Sequence, residues 1–324
     1  MQLLIAGSGA LGSLYAAALA PLTEVTMLGH WPEQETAVRE SGITVVNAGG
    51  RRTRQGLHFI SDQTGLPRFD LALVLVKSHQ TKRAAQELAQ LLRPDGLALT
   101  LQNGLGNCET LAKILGPNRA AQGVTSQGAT LISPGVVRHA GHGTTILPGT
   151  GTHSDLVADL AALLRASGFT TELVADVQPS VWGKLVVNAG INPLTALLRV
   201  PNGFLVEHAT AHELMGAAAQ EAAAVAAAQS IKLPYADPAA QVAAVAAATA
   251  GNLSSMLQDV LRGAPTEIDV ISGAIVHLGR RLDINTPLNE ELWRLVKATS
   301  SEAAVTSHNP VLQDLIAQER RIDP

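Results

Sequence analysis

Immediately behind the short apolar run Leu3-Leu4-Ile5-Ala6 stands the hexapeptide Gly7-Ser8-Gly9-Ala10-Leu11-Gly12, and Leu11 to Ala20 then has the composition of a helix. Three glycines at this spacing, between a strand and a helix, admit few folds. The first permits a tight turn off the strand, the second lets the backbone come close to a bound group, and the third lets the helix pack on the strand. The helix opens with unpaired backbone N–H groups, which favour an anion. The loop therefore implies the first β-α-β unit of a dinucleotide-binding sheet, with Gly7, Ser8, Gly9, Ala10, Leu11 and Gly12 around a pyrophosphate. The first 20 residues could also pass for a secretion signal. No Lys or Arg precedes the apolar run, however, and the glycines interrupt it, so a cytoplasmic protein is expected.

Further strands extend that frame. Glu24 to Leu28 reads as the second strand, and Leu71 to Val76 is a continuous apolar run, as a strand covered on both faces requires. Leu97 to Leu101 repeats the pattern, and Gln80 to Leu92 between them has helical character. Strands alternating with helices make a doubly wound α/β domain. The Gly-, Thr- and Val-rich stretch from Ala121 to Leu147 is expected to complete its sheet as antiparallel edge strands. After about Thr170 the character changes. Alanine-rich stretches such as Ala209 to Gln229 and Pro238 to Ala250 suit closely packed helices. An α/β Rossmann-type domain over 1–175 is thus expected to precede an all-α domain over 176–324.

Composition excludes several classes of function. With 324 residues, 46% of them hydrophobic and 15% charged, the chain has ample material for packed cores. A net charge of −4 gives no basic footprint for nucleic acid, and no stretch reaches the unbroken apolar length of a membrane span. The single cysteine, Cys108, excludes an internal disulfide and shows no base that would make it a nucleophile. His139, His142 and His153 lack the spacing of zinc ligands. Trp31, Trp182 and Trp293 form no stacking pattern for single-stranded nucleic acid.

The end of the second strand separates two forms of nicotinamide cofactor. An NAD site usually puts Asp or Glu there, on the ribose 2′-hydroxyl. This chain has Leu28-Gly29-His30 and no acid until Glu33. His30 suits a 2′-phosphate, with a solvated loop residue as the alternative. Lys77 follows the strand at 71–76 at its ligand-facing end, where a cation suits a phosphate or ribose, and a solvated lysine is again the alternative. Together they lean toward NADP. Asn103, in Gln102-Asn103-Gly104, carries both donor and acceptor for a nicotinamide ribose or a substrate, though Asn-Gly is also a common turn.

Farther on, Trp182-Gly183-Lys184-Leu185-Val186-Val187-Asn188-Ala189-Gly190-Ile191-Asn192-Pro193 spaces Lys184, Asn188 and Asn192 four apart, each one helical turn from the next. Their neighbours are apolar. Amides and an ammonium in such a setting are costly unless they bond to something, and a ligand with a carboxylate and oxygens would satisfy them. A desolvated lysine has a lowered pKa and can serve as a general acid. Solvated side chains near a helix end are the alternative. Asn252 and Ser255, three apart, and Glu267, behind Pro265-Thr266, read by themselves as helix caps.

These motifs, in this order, resemble the ketopantoate reductase family. The matching pieces are the glycine loop, Val76-Lys77, Asn103-Gly104, Trp182 to Asn188, Ile191-Asn192-Pro193-Leu194-Thr195-Ala196, Pro201-Asn202-Gly203, Asn252 to Asp259 and Thr266 to Asp269. The resemblance implies NADPH-dependent reduction of 2-dehydropantoate (ketopantoate) to pantoate, in pantothenate and coenzyme A biosynthesis. It implies Lys184 as the general acid at the ketone oxygen, and Glu267 as the group orienting substrate, lysine and cofactor. It also implies Asn188, Asn192, Asn202 and Ser255 on pantoate oxygens, with Asn252 close by. Asn103 would stand between cofactor and substrate, and Ala129 would touch the cofactor through its backbone. The capping reading of Glu267 gives way on the resemblance alone.

Where the family often has Arg this chain has His30, which offers less charge and no bidentate fork. Lys77 is then left to supply most of the preference for NADP. Two other readings stay open, a reductase of another 2-keto or 3-hydroxy acid and a nucleotide-sensing protein without chemistry. Retention of Lys184, Asn188, Asn192, Ser255 and Glu267 together speaks against the second. A homodimer is left open.

Overall fold

The computed structural model describes residues 1–47, 49, 50, 52–61 and 68–301. They form two compact units. Among the described residues, one joins Met1–Gln102 to Asn107–Val177, and the other joins Asn103–Gly106 to 178–301.

In the first unit β1 (Leu3–Ala6), α1 (Ala10–Leu19) and β2 (Val25–Leu28) make the β-α-β unit around the glycine loop. Then come α2 (Pro32–Ser41), β3 (Ile43–Val46), β4 (Arg52–Gln55), β5 (His58–Ile60) and β6 (Phe69–Val74). α3 (Thr81–Leu91), β7 (Leu92–Thr100), α4 (Asn107–Leu115) and β8 (Ala120–Gln122) follow. The strands lie in the order β5-β2-β1-β6-β7-β8, and every neighbouring pair is parallel. Parallel sheets are covered on both faces, which is why β1 is apolar at every position. Leu3 and Ile5 pack with α1, and Leu4 and Ala6 with α3. The strand order turns back between β1 and β6, the switch point where such sheets bind ligands outside their carboxyl ends.

The stretch 121–147 does not extend this sheet as antiparallel edges. The edge is β8, and it is parallel. β9 (Val124–Thr125), β10 (Gly128–Ser133), β11 (Val136–Gly141) and β12 (Thr145–Pro148) build two smaller sheets instead. β10 and β11 form a hairpin whose second strand pairs with β3, which pairs in turn with β4. After α5 (Ser154–Ala166), β13 (Thr171–Val174) pairs with β12, which also pairs with β9. The physical reason is the burial of α1. Leu14, Tyr15, Ala16, Ala17 and Leu19 are all buried, so the helix needs cover on the side away from the main sheet. Val137, Leu147, Leu160 and Phe169 supply it within one core.

The second unit is helical: α6 (Gln178–Leu198), α7 (Phe204–Glu207), α8 (Ala209–Ala228), α9 (Pro238–Ala248), α10 (Ser255–Leu261), α11 (Ser272–Leu282) and α12 (Pro287–Ser301). α6 packs against α8, α9, α10 and α12. Buried Ala218, Ala219, Ala222 and Ala226 keep α8 slim without lowering its helix propensity. Asp237 starts α9, its carboxylate accepting from the N–H groups of Ala239 and Ala240 ahead of Pro238 at the first helical position. Among the described residues no helix is long and apolar enough to cross a membrane.

Candidate active site

Gly7 leaves β1 at φ +126°, and a Cβ there would lie 2.8 Å from the backbone of Leu75 and Val76. A Cβ on Gly12 would collide with the carbonyl oxygen of Gly7, so α1 can sit on β1 only without one. Gly9 differs: among the described residues nothing lies within 4 Å of its Cβ position. α1 begins there with no side-chain cap and no acid in its first turn. Open space beside uncapped N–H groups fits the pyrophosphate of a dinucleotide. Ser8 is buried against Gly29, while Ala10 and Leu11 are half-buried at the start of α1. Lys77, half-buried, precedes the 3-10 turn Ser78–Gln80 beyond β6. Ala129 lies in β10 opposite His139 of β11. The His139 ring is held by Gln127, 2.7 Å from Nε2 to Oε1, and packs on His142 with centroids 3.9 Å apart.

His30 has a carboxylate beside it after all. Its Nε2 lies 2.8 Å from Oε1 of Glu87, and Nε of Arg83 reaches the same oxygen at 3.0 Å. β2 ends without an acid, as its sequence says, but α3 brings one. No spacing around β2 could reveal that contact.

In the second unit α6 is helical through Lys184, Asn188 and Asn192, so the polar stripe forms. Buried Trp182, Leu185, Val186 and Ala189 hold the helix in the core. Asn192 is only 6% exposed, and Lys184 and Asn188 are half-buried. Among the described residues neither the Asn188 nor the Asn192 side-chain amide bonds to protein. Glu267 is likewise 6% exposed and caps nothing, since the 3-10 turn Ile268–Val270 behind it receives no side-chain bond. Its Oε2 accepts from Nδ2 of Asn103 at 3.2 Å. Asn103 is brought there because the N–H of Leu105 donates to the Val270 carbonyl at 2.9 Å, which ties 103–106 to this unit. Burial pushes the Lys184 ammonium from its ordinary 10.5 down to about 8, against the opposing pull of the Glu267 carboxylate.

The remaining residues form a neighbouring group. The backbone N–H of Asn202 donates to the Asn252 carbonyl at 3.0 Å, and its Nδ2 donates to Thr249 Oγ1 at 2.8 Å. Its Oδ1 is enclosed with no partner among the described residues, a cost that a ligand donor would relieve. Asn252 and Ser255 are both exposed. The cap of α10 is Ser254, whose Oγ accepts from the Leu257 N–H at 3.1 Å and the Thr195 hydroxyl at 2.7 Å. Ser254 therefore anchors α10 to α6 and leaves the Ser255 hydroxyl outward. With two serines adjacent, spacing alone cannot choose the cap.

Models of one family match both parts of the chain: Ketopantoate reductase PanE/ApbA over residues 3–150, and Ketopantoate reductase PanE/ApbA C terminal over residues 176–300. The chain belongs to the ketopantoate reductase family. A 2-dehydropantoate 2-reductase of Halobacterium salinarum is 41% identical over 302 residues, covering 92% of this chain and 98% of that one. One from Archaeoglobus fulgidus is 36% identical, covering 92% and 97%. The crystal structure of a family member from Ralstonia eutropha superposes with a TM-score of 0.85 at 32% identity, covering 93% and 99%. The ternary structure of D-mandelate dehydrogenase with NADH and anilino(oxo)acetate also gives 0.85, at 29% identity and the same coverage. Membership makes the chain an oxidoreductase with a Rossmann-type unit followed by a helical one.

Proposed function

We propose that the chain is a cytoplasmic enzyme that reduces 2-dehydropantoate to pantoate with NADPH, the reductive step that feeds pantothenate and coenzyme A synthesis. The observation that carries this reading is the Lys184–Glu267 pair beside the amides of Asn188 and Asn192, which bond to no protein group among the described residues. When bound at the glycine loop, the nicotinamide cofactor supplies a hydride to the ketone carbon. Lys184 holds the proton that the ketone oxygen takes up, and solvent restores it afterwards. Glu267 keeps the ammonium charged and aimed, and Asn103 fixes Glu267. Asn188, Asn192, Asn202 and Ser255 bind the substrate's carboxylate and hydroxyl oxygens, with Asn252 beside them. Residues 1–175 serve the nucleotide and residues 176–324 serve the substrate. NADPH is favoured by Lys77, and β2 itself ends on Leu28-Gly29-His30 with no acid of its own.

The test is loss of NADPH absorbance with 2-dehydropantoate and a panel of 2-keto acids. Turnover of 2-dehydropantoate at least about tenfold above the rest is expected. The D-mandelate dehydrogenase likeness supports a second reading, a reductase of a 2-aryl-2-keto acid. Turnover of such an acid with 2-dehydropantoate inert would replace the substrate and keep the chemistry.

The lowered Lys184 pKa predicts opposite effects of pH on activity and stability. The acid form is lost as pH rises through about 8, so kcat/KM is expected to fall about tenfold per unit above that value. Between about 8 and 10.5 the folded chain holds fewer protons at this site than the unfolded one, so stability rises with pH there. Activity profiles and melting curves on the parent and Lys184→Met check both. A parent whose activity stays flat to pH 10 excludes Lys184 as the proton donor.

A further inference from the structure

We propose that Glu87 sets the choice between NADPH and NADH, by placing a carboxylate where the adenosine ribose is read. This assignment rests on the dinucleotide reading of the glycine loop. In folds of this kind the carboxyl end of the second strand meets the adenosine ribose, and here that end is Gly29-His30. Gly29 packs directly on Ser8 of the glycine loop, which fixes His30 next to it. Leu28 faces α3 in the core, and His30, two residues on, meets the same helix through Glu87.

The three side chains are graded in exposure. Glu87 is 11% exposed, His30 31% and Arg83 60%. A carboxylate this enclosed is poorly screened by salt. Its Oε1 meets both the His30 ring and the Arg83 guanidinium, while its Oε2 accepts no hydrogen bond among the described residues. Arg83 and Glu87 cancel as a pair. A 2′-phosphate then meets no net positive charge from that pair, whereas a ribose 2′-hydroxyl has a carboxylate oxygen to donate to. Glu87 thus does from α3 what an acid at the end of β2 does in an NAD site. It offsets the lean toward NADP that Leu28-Gly29-His30 carries, and leaves the chain able to use both forms.

Glu87→Gln tests this, because glutamine keeps an acceptor for His30 and Arg83 and removes only the charge. Dissociation constants of NADP+ and NAD+ are measured separately by calorimetry on the full chain. NADP+ is expected to tighten about tenfold in Glu87→Gln, with NAD+ changing less than about twofold. Arg83→Ala, at an exposed position, is expected to do the reverse, weakening NADP+ about tenfold and sparing NAD+. An unchanged NADP+/NAD+ ratio in Glu87→Gln, or weaker NADP+ binding there, overturns the assignment. If Glu87→Gln does not fold, the ratio in Arg83→Ala decides alone, and no change in it has the same force. Failure of the parent chain to bind either dinucleotide would instead defeat the reading of the glycine loop.

Discussion

Lys184→Ala is expected to lower kcat for 2-dehydropantoate by about 10²- to 10⁴-fold, the usual contribution of a positioned general acid. KM and NADPH affinity should move far less. On the proposed mechanism, removing the amine deletes the proton that the forming alkoxide needs, but it leaves the amides of Asn188 and Asn192 in place along α6. Folding is not the cause to fear, since desolvation already disfavours the ammonium in the native state. Lys184→Met, which keeps most of the alkyl stem, is expected to match the alanine variant in kcat and to melt no lower than the parent. Steady-state kinetics and a melting curve on both variants make the check. A kcat within about threefold of the parent would remove Lys184 from the reaction and leave Glu267 a structural carboxylate.

The second large effect belongs to the glycine loop, where two neighbouring glycines are expected to fail in different ways. A Cβ at Gly12 runs into the Gly7 carbonyl, a backbone atom that cannot step aside, so Gly12→Ala must lift α1 off β1. That disturbs the core around Leu14 and Tyr15 and is expected to destabilise the fold by about 1–3 kcal/mol. NADPH binding is expected to weaken at least about a hundredfold, because the uncapped N–H groups lose their place. Gly9→Ala meets nothing among the described residues and keeps an ordinary backbone, φ −76°. Its melting temperature should equal the parent's while NADPH binding still weakens, since the methyl takes space beside the uncapped amides. Equal NADPH affinity in Gly9→Ala and the parent would show that the pyrophosphate lies elsewhere.

The contrast between these two glycines marks how far local pattern reaches. Gly7-Ser8-Gly9-Ala10-Leu11-Gly12 announces a strand, a turn and a helix, yet only the packing shows Gly12 held by a carbonyl and Gly9 facing open space. The stripe of Lys184, Asn188 and Asn192 is legible because its spacing of four matches the helical turn of α6. Glu267 is another matter. Its place behind Pro265-Thr266 suggests a cap, and the structure turns its carboxylate to Asn103 and toward Lys184 instead. The stretch 121–147 departs from its local pattern for a similar reason. Its strands are evident, but their partners outside the stretch include β3 and β13, chosen by the need to cover α1.

What the sequence determined by itself is everything that depends on residues close together in the chain: the glycine loop, the buried parallel strands, the helical second half and the lysine–asparagine stripe. Each is set by a local period or a local steric demand. The tertiary structure alone decided which distant groups meet. It brought Glu87 to His30, Asn103 to Glu267, and Ser254 to Thr195 of α6. Those contacts depend on the path of the chain between the partners, and no local period encodes that path.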